Sequence, residues 1–141
     1  MSIRVIRLGT PRAPDEGMRI GTVRRPPRGV PKEEFASRDF YDVWLPELAP
    51  SQELVRQAQR AEEDREWQGF VHAYQREMSR PEARHLIALI AALSRRTNVS
   101  VGCYCEDESR CHRSILRALL EDAGASFAGD PGPSARRPGQ H

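Results

Sequence analysis

The sequence has no long apolar run, no excess of charge of one sign and few cysteines. Without an uninterrupted apolar stretch of about 20 residues it offers no candidate membrane helix. Met1 to Arg7 lacks the apolar segment that follows the charges of a secretory signal, so a cytoplasmic address is expected. Lys and Arg total 22 against 20 Asp and Glu, and the formal net charge is +2. The signs are mixed along the chain, so no global field demands a polyanionic partner. The three cysteines, two of them separated by one residue, make a poor disulfide framework and suit reduced thiols in a reducing compartment. No internal repeat is present.

What remains describes one folded unit. The 141 residues, 38% hydrophobic and 30% charged, are enough for a single modest core. Ile3 to Leu8 and Met18 to Val23 read as strands, the second followed by the stiff basic turn Arg24-Arg25-Pro26-Pro27-Arg28-Gly29. Pro31 to Phe35 predicts one short helix, because proline starts helices well and carboxylates suit the first turn. Ser51 reads as the cap of a helix running to about Arg60. Asp64 to Met78 carries Trp67, Phe70, Val71, Tyr74 and Met78 at helical spacing, and Pro81 opens another helix whose face is Leu86, Ile87, Leu89, Ile90 and Leu93. Thr97 to Cys105 favours strand, and Cys111 to Asp122 is helical, with Gly124 closing it. From Ala125 onward too few apolar groups remain to fold on a core. The expected organisation is therefore one α/β domain over residues 1–124, a small, mostly parallel sheet flanked by helices, and a disordered tail over 125–141.

All three cysteines fall within nine residues, followed at once by histidine and arginine: Cys103-Tyr104-Cys105-Glu106-Asp107-Glu108-Ser109-Arg110-Cys111-His112-Arg113. Thiolate and imidazole are the groups that ligate metals and attack electrophiles near neutral pH. A strand feeding a helix through a short loop puts that loop at the carboxyl edge of a sheet, where open α/β folds bind ligands. Cys111 then stands at a helix start, whose free N–H groups favour a thiolate or a bound anion. The carboxylates of Glu106, Asp107 and Glu108 oppose that tendency.

A Zn²⁺ site from these thiols and His112 has suitable chemistry, but adjacent residues leave a helix roughly 100° apart, which counts against Cys111 and His112 sharing one ion. The preferred reading holds no metal, and the alternative set is Cys103, Cys105 and Cys111. Covalent haem attachment would need a cysteine three positions before Cys111, where Glu108 stands. His72, His85 and His141 show no partner pattern and read as surface or tail residues, and Trp44 and Trp67 read as packing.

The segment Cys103-Tyr104-Cys105-Glu106 through Cys111-His112-Arg113-Ser114-Ile115-Leu116 resembles the C-terminal signature of the domain-of-unknown-function 488 family. Arg19-Ile20 through Pro27-Arg28-Gly29 is similar to the "RVLVDRLWPRG" stretch of that family's small, YeaO-like branch, and Trp44-Leu45-Pro46-Glu47-Leu48-Ala49-Pro50-Ser51 is similar to its next block. Phe70, Tyr74 and Glu77 fit the helix after that. Val23 and Pro26 stand where the branch carries Asp and Trp, and the branch often has Asn-His in place of Cys111-His112. The resemblance spans about Ile3 to Gly124. It implies an α/β fold with a largely parallel sheet and supplies no established activity, while shifting weight from a metal cage to His112 and the arginines.

Together these readings predict an anion-binding, catalytic pocket: Arg24, Arg28 and Arg113 for a phosphate- or carboxylate-bearing small molecule, His112 for proton transfer, Cys111 as nucleophile or donor. One alternative is a non-catalytic module whose thiols bind a metal ion or respond to oxidation. Another is nucleic-acid binding through the basic turn and Arg136-Arg137.

Overall fold

The computed structural model describes residues 1–105 and 110–128. Four strands, β1 (Ile3–Arg7), β2 (Met18–Gly21), β3 (Val43–Trp44) and β4 (Val99–Cys103), form one wholly parallel sheet in the order β1-β4-β2-β3. β4 lies between β1 and β2, and all five of its residues are buried. That explains its run of small and β-branched residues in place of an alternating pattern. In register, Arg7 stands opposite Cys103 and Gly21 opposite Gly102, so the three strands end almost level. Glycine is required at 102, because a Cβ there would lie 2.7 Å from the Ile6 carbonyl oxygen. β3 has only two residues, both exposed, and no alternation marked it in the sequence.

The helices are α1 (Gln52–Arg60), α2 (Asp64–Met78), α3 (Pro81–Ser94) and α4 (His112–Asp122). Their ends obey local chemistry. The Ser51 hydroxyl accepts the Leu54 N–H at 3.3 Å, Glu63 and Glu66 form a reciprocal capping box, and Gly124 takes a φ of 93° to close α4. The short helix expected over Pro31–Phe35 is a single 3-10 turn, Lys32–Glu34. On α3 the buried contacts are Ala83, Ile87, Ile90, Ala91 and Ser94, whereas Leu89 and Leu93 are exposed. The packed stripe is thus narrower than the run of leucines and isoleucines implies, and its small residues allow close approach of neighbouring backbone.

The main core joins Ile3, Ile20, Val99 and Val101 of the sheet to Phe70, Tyr74 and Met78 of α2 and to Ile115, Leu116 and Leu120 of α4. A smaller cluster of Leu8, Val23, Tyr41, Cys103 and Cys111 sits where the strands end. Ala125 and Phe127 are buried, and residues 126–128 run beside β1: Ile3 N–H donates to Ser126 O at 2.6 Å and Ala128 N–H to Ile3 O at 2.9 Å. The boundary drawn at Gly124 therefore moves to include residues 125–128, because Phe127 supplies an apolar group that closes the core over Ile3. The expectations for Glu106, Asp107 and Glu108, and for the rest of the tail with Arg136, Arg137 and His141, lie outside the described residues. Among the described residues, no helix is long and apolar enough to cross a membrane.

Candidate functional site

At the carboxyl edge of the sheet, the residues after β2, the residues after β4 and the start of α4 meet around a cleft of about 840 Å³. α1 forms a further wall. Its residues Gln52, Val55, Arg56 and Gln59 all line the cleft, and their i, i+3, i+4, i+7 spacing is one helical face. Arg24, Arg25, Pro26, Pro27 and Arg28 line it from the basic turn, and Cys103, Tyr104, Cys105, Arg110, Cys111 and His112 from the β4–α4 connection. The cleft thus gathers five arginines, and no Asp or Glu of the described residues lines it.

The thiols and the imidazole share its inner end. Cys103 Sγ lies 2.8 Å from Cys111 Sγ, and Cys111 Sγ lies 3.6 Å from His112 Nδ1. His112 Nε2 is 2.8 Å from the Thr22 carbonyl oxygen and 3.2 Å from Thr22 Oγ1, whose hydroxyl donates to Gly102 O. A carbonyl can only accept, so Nε2 carries the proton and a neutral ring presents the Nδ1 lone pair to Cys111. The Tyr74 ring meets the imidazole edge-on at 5.5 Å and completes its apolar surround. Cys103 Sγ, Cys111 Sγ and a His112 ring nitrogen all lie within 4.8 Å of one another, a spacing that can hold one metal ion. Cys111 is the N-cap of α4 with φ −131°, outside the helix proper. The 100° divergence expected between adjacent helical residues therefore does not apply, and Cys111 and His112 converge. Cys105 is exposed and not part of that three-ligand group, so the alternative set Cys103, Cys105 and Cys111 gives way to Cys103, Cys111 and His112.

The three thiols also divide their charge unequally. Hydrogen bonds from Cys103 and Cys111 hold the Cys105 thiol well below its ordinary range, and the nearby Arg113 charge adds to this. Cys103 is raised by hydrogen bonding to Cys105 and Cys111 and by burial, so it keeps its proton. Cys111 is lowered, first by its hydrogen bond with Cys103 and also by His112, against the opposing effects of Cys105 and burial.

The arginines separate into classes that sequence alone did not distinguish. Arg28 is exposed in the cleft, as are Arg25 and Arg56, and none of these three guanidinium groups is paired with a described residue. Arg24 lines the cleft, but its guanidinium donates to the Pro50 and Ala49 carbonyls and anchors the lead into α1. Arg113, expected to hold ligand, is 3% exposed and is not among the lining residues. It donates to Ile6 O at 2.6 Å and to Cys105 O, so it fastens the thiol loop to β1. Arg19 is sealed against Glu16 away from the cleft. Arg25 and Arg56 were missed: Arg25 carried only the signal of its basic turn, and Arg56 none beyond its helical face.

The chain belongs to the DUF488 family. Its residues 3–124 match the family model described as the active DUF488-N3 subclade. Comparison with curated proteins and with solved structures returned no match. The matched span of the DUF488 domain includes both halves of the cleft, from the basic turn to Cys111, His112 and Arg113.

Proposed function

We propose that this DUF488 protein binds a phosphate- or carboxylate-bearing small molecule in the cleft and acts on it through Cys111 and His112. The observation that carries this reading is the joint placement of the Cys111–His112 pair, oriented by Thr22, and exposed guanidinium groups in one concave surface. Nucleophile, base and orienting group then stand in the sequence that thiol catalysis uses. Arg25, Arg28 and Arg56 hold the anion, with forks suited to bidentate contact. The Cys111 thiol proton passes to His112 Nδ1 as sulfur bonds to the electrophilic atom. The leaving group departs with that proton, and water then cleaves the sulfur-bound intermediate and restores the thiol.

A test uses Cys105→Ser protein, so that the exposed thiol does not mask the buried one. Iodoacetamide labelling near neutral pH, read by peptide mass spectrometry, should modify Cys111 in the folded protein. Inorganic phosphate should slow the labelling, and His112→Asn should slow it further. A Cys111 that reacts only after denaturation, with no effect of phosphate, would count against the proposal.

A second reading rests on the 4.8 Å grouping of Cys103, Cys111 and His112, which suits a soft divalent ion such as Zn²⁺. The Thr22 carbonyl on Nε2 is the kind of outer contact that fixes a metal-bound imidazole. Elemental analysis of untagged protein decides it: one equivalent of metal supports this reading, and metal-free protein with three freely titrating thiols removes it.

A further inference from the structure

The cleft is far larger than an inorganic anion needs and falls within the range of pockets that enclose whole small molecules. Its walls differ in chemistry. On one side Phe40 and Tyr104 form an edge-to-face pair, centroids 6.3 Å apart and planes at 75°. The Tyr104 hydroxyl donates to the Arg25 carbonyl at 2.9 Å, which ties this aromatic wall to the basic turn. α1 contributes the exposed amides of Gln52 and Gln59 beside Arg56. An amide offers one acceptor and two donors, the complement of a nucleobase edge.

From this juxtaposition of aromatic rings, side-chain amides and exposed guanidinium groups we infer that the ligand is a free mononucleotide, its base against Phe40 and Tyr104 and its phosphate on the arginines. The inference rests on the anion-binding reading above and adds the identity of the ligand's body. A sugar phosphate leaves the aromatic wall unused. An acyl chain leaves the amides without partners. Stacking of a base on an aromatic ring is worth enough to separate a nucleotide from its ribose phosphate by about tenfold in affinity.

Calorimetric titration of the intact protein with nucleoside monophosphates, ribose 5-phosphate, inorganic phosphate and a short single-stranded oligonucleotide tests this at fixed salt. The expected result is that at least one nucleotide binds about tenfold more tightly than ribose 5-phosphate. Phe40→Ala should abolish that margin while leaving ribose 5-phosphate unchanged. Since Phe40 also packs on the small cluster at the strand ends, Gln59→Ala on the exposed helix face serves as the second variant and should alter the ranking of the bases. Equal affinity for nucleotide and ribose 5-phosphate overturns the inference and leaves the anion site standing. Preference for the oligonucleotide overturns the free mononucleotide as ligand. Failure of every probe, phosphate included, overturns both.

Discussion

Arg19 is 1% exposed, yet its charge is fully answered. Glu16 pairs with its guanidinium, Asp39 and Pro11 supply carbonyls, and Ser100 donates to the same Glu16 carboxylate at 3.0 Å. Burial works against the Glu16 charge, but hydrogen bonds from Arg19, the Ala13 N–H and Ser100 outweigh it and lower its pKa below the ordinary 4.5. Asp42 is likewise lowered, chiefly by its hydrogen bonds from Arg12. A depressed carboxylate contributes stability that is fully present above its unfolded pKa and is lost as pH falls through the folded one. Chemical denaturation across pH 7 to 3 should therefore show stability declining below about 4.5. Glu16→Gln, which strands the Arg19 charge, should cost about 3 kcal/mol at pH 7 and flatten that acid dependence. At the thiols the expected order is set by charge and exposure together. Cys105 should be alkylated first at mildly acidic pH and Cys103 last, as peptide mass spectrometry after brief labelling would reveal.

At the scale of elements, α1 is a wall of the cleft held by three contacts at its start. Ser51 caps it, the Ser51 N–H donates to Glu77 Oε1 at 2.9 Å, and Arg24 grips the two carbonyls just before it. Ser51→Ala should cost about 1 kcal/mol of stability, measured by denaturant midpoint. It should also weaken anion binding more than it lowers helix content, because the cleft face of α1 depends on where its first turn is held. The sequence declared α1, α2 and α4 through caps and apolar period, signals that act within a few residues. It did not declare β3, whose two residues pair with β2 only because the sheet is already there. Nor did it distinguish Arg28, exposed in the cleft, from Arg113, folded under the thiol loop: both are arginines beside a motif, and only tertiary placement separates a cleft-lining side chain from a supporting one. Cys111 and His112 were legible as a pair, while their convergence hinged on Cys111 standing one residue outside the helix.

For the molecule as a whole, the thiol end of the cleft is tied to β1, far from Cys103 and Cys111 in sequence. Leu8 N–H donates to Cys103 O at 2.8 Å, Arg113 binds Ile6 O, and β1 pairs along the length of β4. The opposite end of β1 is held by residues 126–128, with Phe127 packed against the core and the Arg117 guanidinium 5.3 Å from its ring. A chain ending at residue 128 keeps these contacts. One ending at residue 124 loses Phe127 and both backbone hydrogen bonds to Ile3, and should be destabilised by about 3 kcal/mol or more. Because β1 also fastens the thiol loop, the shorter chain should expose Cys103 and Cys111 to alkylation at denaturant concentrations where the 128-residue chain protects them. Equal protection in both chains would mean that the terminal segment stabilises the core without reaching the cleft, and that β4 alone keeps the thiols in place.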